Sequence, residues 1–74
     1  GYIQMEYTGF KDNTDMDVWE GDITDDGRII VWENGSFWLK QIKGEGNFPM
    51  HFLKGNKLDQ KIIGNKFQNA NLMK

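Results

Sequence analysis

Asn34-Gly35 stands between two apolar runs, Ile29-Ile30-Val31-Trp32 and Phe37-Trp38-Leu39, and this arrangement limits the chain more than any other feature. A two-residue type I′ turn needs positive φ at both central positions, which asparagine tolerates and glycine adopts freely, so the pair specifies a β-hairpin over Arg28 to Lys40. The register follows from the loop length. Glu33 faces Ser36, Trp32 faces Phe37, Val31 faces Trp38, Ile30 faces Leu39 and Ile29 faces Lys40, with successive pairs on alternate faces. Trp32, Phe37, Ile30 and Leu39 then share one uncharged side, the expected core. Ile29, Val31 and Trp38 lie on the other side beside Glu33 and Lys40. That side is partly apolar where a solvated face would be polar, so Trp38 is expected to stay in the open.

Other strands fall around this hairpin. Tyr2 to Thr8 alternates apolar and polar residues, and Val18 to Thr24 does so with Trp19 and Ile23 on the inner face and Val18, Glu20 and Asp22 on the outer. Asp12 to Met16 reads as a loop, and Asp25-Asp26-Gly27 and Gly44 to Asn47 as turns. Pro49 lacks an amide donor, which makes Phe48 to Leu53 an edge strand or irregular cover. Two Gly-Asn-Lys triplets bracket Leu58 to Ile63 as a further short strand. A helix from Leu58 to Met73 competes on spacing, and Gly64-Asn65 oppose it. Phe67, Leu72 and Met73 form an irregular or helical tail. About five short strands with no long helix point to an all-β fold, and edge protection favours a small SH3-like or OB-like barrel over residues 1–74 as one domain.

Size and charge narrow the function. With 74 residues and no cysteine, the chain has neither a disulfide framework nor a thiolate nucleophile, which fits a reducing cytosol. No apolar run approaches the ~20 residues of a membrane helix. Net charge is −2, which gives phosphate backbones little overall attraction. The charge is polarised, however. Nine acids oppose only Lys11 and Arg28 up to Glu33, whereas seven lysines oppose only Glu45 and Asp59 beyond it. These opposite halves could meet within one molecule, meet between two copies, or form a polarised binding face.

Catalytic and metal chemistry find little footing. Ser36 follows the hairpin turn and His51, the single histidine, has no nucleophile-elbow context, so no hydrolytic triad is expected. The Gly-Asn-Lys triplets do not match a phosphate loop. One histidine without cysteine makes a zinc site implausible. Asn13, Asp15 and Asp17 match the first three ligand positions of a calcium loop, but Val18 stands where glycine belongs and Thr24 where a bidentate glutamate belongs. The expectation is no enzyme activity, no cofactor and no metal. Nucleic acid is the strongest alternative partner, because lysines Lys40, Lys43, Lys54, Lys57, Lys61 and Lys66 interleave with Phe37, Trp38, Phe48, Phe52 and Phe67. Lys43 to Asn47 nevertheless lacks the aromatics of the RNA-stacking signature.

Two blocks carry a family resemblance. Tyr7-Thr8-Gly9-Phe10-Lys11-Asp12 followed by Val18-Trp19-Glu20-Gly21-Asp22-Ile23, and Ile62-Ile63-Gly64-Asn65-Lys66-Phe67-Gln68-Asn69, resemble the opening and closing blocks of the YopX-like proteins of bacteriophages and prophages. Thr24 to Lys61 has no aligned motif. Typical members carry an upstream segment with no counterpart here, so the resemblance implies a C-terminal domain or a short member. It also implies a mostly β chain and no catalytic residues to carry over. The shared residues read as scaffolding: Gly9 and Gly21 for turn or bulge conformations, Asp22 and Asn65 for local backbone donors. The expected function is therefore a non-enzymatic phage or prophage interaction protein in the host cytosol. It would bind a host or viral protein through Ile29, Val31, Trp38 and the acidic residues Asp15, Asp17, Asp25 and Asp26. The alternatives are a single-stranded nucleic-acid-binding barrel and an acidic nucleic-acid mimic that blocks a host nuclease or DNA-binding protein. The second would use the carboxylates between Asp12 and Asp26.

Overall fold

The structure, a computed structural model, describes residues 6–67. Asn34 and Gly35 take φ of 51° and 77°, the left-handed pair the turn requires. They join strand β4, Arg28–Glu33, to β5, Ser36–Gln41, with every pairing expected from the loop length and one more, Arg28 opposite Gln41. On β5 lies β6, Asn47–Pro49, an edge strand that ends where Pro49 withdraws its donor. The chain then continues as 3₁₀ turns at Met50–Phe52 and Lys54–Asn56. On β4 lies β3, Asp22–Thr24, and beyond it β7, Ile62–Asn65, which gives the sheet order β6-β5-β4-β3-β7.

A separate ribbon pairs β1, Tyr7–Lys11, with β2, Asp17–Trp19. Its register jumps from Tyr7 opposite Trp19 to Lys11 opposite Asp17, so β1 carries a bulge. Within the bulge Thr8 Oγ1 donates to the Val18 carbonyl at 2.7 Å and accepts the Phe10 amide at 3.0 Å, replacing ladder bonds lost there.

Val18, Ile30, Leu39, Met50 and Leu58 are buried together, with Phe10, Phe37, Leu53 and Ile62 packed against them. Each such burial contributes roughly 1.5–3 kcal/mol before chain entropy is set against it. Ile30 and Leu39 come from one face of the hairpin and Val18 from β2. Ile23 and Ile29, paired across β3 and β4, are buried outside that cluster.

The all-β expectation holds, but the barrel does not close: the five-stranded sheet is open, with β6 and β7 at its edges. Four side chains also sit differently from the expectation, the first being Asp22, assigned to the outer face and only 6% exposed. Strand Val18 to Thr24 is two strands, because the chain turns at Glu20-Gly21 and Gly21 takes φ of 92°. Alternation does not carry across that turn, so Val18 is buried and Trp19 is exposed, the reverse of the sequence assignment. Trp32 lies on the core face of the hairpin at its turn end and is 55% exposed. The last strand is Ile62–Asn65 and runs through Gly64, whereas Leu58 is buried just after an isolated bridge between Lys11 and Lys57. No helix occupies Leu58 to Phe67, and no helix among the described residues is long and apolar enough to cross a membrane. Of the expected strand Tyr2 to Thr8, residues 2–5 lie outside the described residues, as does the tail beyond Phe67.

Candidate functional site

Where aromatic area remains in the open, the fold explains its position. Trp32 and Phe37 are directly opposed next to the Asn34-Gly35 turn, with ring centroids 4.6 Å apart in an edge-to-face arrangement. Tyr7 and Trp19 are opposed across the β1–β2 ribbon at 5.1 Å. Glu20 follows Trp19 directly, and its amide donates to the Glu6 carbonyl at 2.8 Å, which holds the two glutamates together. Glu6, Tyr7, Glu20, Trp32 and Phe37 line one hollow of about 700 Å³. Trp32 keeps 55% of its surface in solvent and Tyr7 43%. Rings and carboxylates thus share one recess, while Glu20 Oε2 also receives Lys66 Nζ at 3.2 Å.

The surface expected from the sequence has a different character. Ile29 is only 6% exposed, opposite Ile23 of β3, and so is not part of an open apolar surface. Val31 and Trp38 are half-buried, and the Trp38 indole N–H donates to the Glu33 carbonyl at 3.0 Å. Lys40 Nζ lies 3.2 Å from Glu33 Oε1 on the same face.

Most of the acidic residues are tied into the fold. Asp17 accepts Lys11 Nζ at 2.6 Å and the Tyr7 hydroxyl at 3.1 Å. These hydrogen bonds, Lys11 first, lower the Asp17 pKa, and the same contact with Asp17 raises those of Lys11 and Tyr7. Asp25 accepts the Lys61 amide at 3.3 Å, and Asp26 accepts Gln60 Nε2 at 3.1 Å and the Thr24 hydroxyl. Asp15 is exposed with φ of 71°. Asn13 donates through Nδ2 to the Asp59 carbonyl. Among the described residues no three acidic, histidine or cysteine side chains are grouped to hold a metal ion.

A second, smaller aromatic group occupies the first 3₁₀ turn and the edge strand before it. Phe48 and Phe52 have centroids 6.2 Å apart, and His51 lies 4.4 Å from Phe52, which is largely exposed. This places the single histidine against a ring.

Composition held a signal for the hollow that alternation alone hid. Ten aromatic side chains in so short a chain exceed what one small core can enclose, and the pair nearest a hairpin turn is the first to run past the covering layer.

The fold and this surface define a small open-sheet β protein with an aromatic and acidic recess. The family model described as "YopX protein" matches residues 2–74, and the chain belongs to that family. Neither the curated proteins nor the solved structures contain a match to it.

Proposed function

We propose that the chain is a non-enzymatic interaction protein of bacteriophage or prophage origin, acting in the host cytosol by binding a host or viral protein through the recess at Trp32. The observation that carries this reading is a 55% exposed tryptophan on the rim of a hollow of about 700 Å³ lined by three rings and two carboxylates. Exposed aromatic side chains set in a concave surface are the usual anchors of protein interfaces. Membership of the YopX family supports the phage-type origin. The non-catalytic reading draws on how the buried carboxylates are engaged. Asp12 is occupied by backbone and hydroxyl donors and Asp22 by the Trp19 amide, so neither is poised on a reacting group.

Affinity capture from bacterial lysate, with native chain and Trp32→Ala side by side, tests the reading. A protein retained by the native chain and lost with a folded Trp32→Ala supports it; equal retention by both overturns it.

Nucleic-acid binding is the second reading, favoured by the exposed Phe48 and Phe52 rings beside Lys54. Titration with single-stranded oligonucleotide at two salt concentrations separates the two, since phosphate contact weakens steeply with salt. The acidic-mimic reading draws less support, because Asp17, Asp25 and Asp26 direct oxygens to Lys11, Lys61 and Gln60 within the chain.

A further inference from the structure

We propose that the Trp32 recess takes the cationic end of a lysine or arginine side chain from a basic segment of the partner protein. This rests on reading the recess as the binding surface. Three observations carry it. The rings present faces of negative potential, and Trp32 and Tyr7 keep large parts of theirs open. Among the described residues, the charged ones lining the hollow, Glu6 and Glu20, are both acidic. At its margin the chain already holds a cation in this way: Lys66 Nζ sits 3.2 Å from Glu20 Oε2 and 5.0 Å from the centre of the Phe67 ring.

Charge complementarity selects the occupant. A phosphate backbone or an acidic segment entering the recess would meet two carboxylates and the negative faces of the rings. A purely apolar segment would leave Glu6 partly desolvated, since Lys66 compensates Glu20 alone. An ammonium or guanidinium group satisfies carboxylate and rings at once, while its aliphatic stem covers the Trp32 ring. The volume, about 700 Å³, admits one such side chain with the backbone that bears it.

The test uses the whole chain and a lysine- and arginine-rich peptide without aromatic residues, titrated by calorimetry at low and at moderate salt. A control peptide carries glutamate in place of the basic residues, and a short single-stranded oligonucleotide serves as a second control. The expected result is saturable binding of the basic peptide alone, weakened by salt. It is weakened about tenfold or more by Trp32→Ala and several-fold by Glu6→Gln, and unchanged by Trp38→Ala. Circular dichroism checks that each variant is folded. Should Trp32→Ala unfold, Glu6→Gln decides, since it removes a charge from an exposed position and leaves the core alone.

Preference for the acidic peptide or the oligonucleotide overturns the inference, as does basic-peptide binding indifferent to Trp32 and Glu6. Self-association on a sizing column that Trp32→Ala abolishes assigns the recess to a second copy and overturns it too. No binding of the basic peptide, together with loss of a captured protein on Trp32→Ala, overturns this inference while the recess stands as a binding surface. Capture that survives Trp32→Ala removes the surface itself.

Discussion

Asp12 and Asp22 are both buried, yet their carboxyl groups titrate in opposite directions, and hydrogen bonding decides which. Burial by itself raises the pKa of either. At Asp12 this is outweighed by the Ile62 amide on Oδ2 and by the Thr14 hydroxyl, the Met16 amide and the Thr14 amide on Oδ1, so its pKa falls from 3.8 to about 2. At Asp22 burial wins, Asp12's charge adds to it, and the Trp19 amide bond only partly offsets them, so its pKa rises. The signs fix the pH response. A lowered carboxyl pKa gives stability that is complete above the unfolded value and lost as pH falls through the folded one. Asp12's share is therefore intact above about pH 4 and disappears toward about pH 2. Asp22 works the other way, favouring the fold when protonated and costing stability once it ionises. Asp12→Asn should lower stability at neutral pH by about 2–3 kcal/mol, because one amide would face a nitrogen instead of an oxygen. Asp22→Asn keeps an oxygen for Trp19 and should stay within about 1 kcal/mol of native. Urea unfolding at neutral and acid pH measures both.

The hairpin and its partner strands give the next level. Asn34 and Gly35 hold positive φ, and Gly35→Val should cost about 1–2 kcal/mol by forcing a β-branched residue into that conformation. Gly21 is constrained twice, since a Cβ there would lie 2.9 Å from Phe67 Cε2 at a φ of 92°. Gly21→Ala should therefore lower the thermal midpoint more than an alanine at Gly27, where the left-handed φ is similar but the space is open. Scanning calorimetry compares them. These turns were legible because they depend on local backbone sterics that residue type announces. The full β4–β5 register, the edge role of Pro49 and the local bonds of Asp22 and Asn65 were legible for the same reason. Ile30 and Leu39 lie in the core as alternation placed them, but the covered face of β2 was not legible. That depends on distant chain, and the turn at Glu20-Gly21 reversed the assignments of Val18 and Trp19. The recess went unread because Trp32 alternates in phase with Ile30 yet lies past the end of the layer that covers it.

At the scale of the molecule, the two family blocks meet. Asp12 of the first accepts the Ile62 amide of the second, Lys66 N–H donates to the Gly21 carbonyl at 2.9 Å, and Asp22 pairs with Asn65. The shared residues therefore close the chain on itself from both ends, with the hairpin between them, and the radius of gyration of 11.4 Å is that of a compact chain of this length, about 11 Å. The opposite charges of the halves meet in part within the molecule, through Glu20 with Lys66 and Glu33 with Lys40. Such partly exposed pairs stabilise little, so raising ionic strength to moderate salt should change unfolding free energy by less than about 1 kcal/mol. A much larger loss in a salt series would mean that charge attraction, not packing, holds the halves together. The account as a whole turns on which tryptophan meets a partner. In ¹⁵N-labelled protein each indole N–H gives its own resonance, and titration with the basic peptide should shift that of Trp32 most while that of Trp38, bonded to the Glu33 carbonyl, stays in place. A shift at Trp38 with Trp32 unmoved would contradict the account.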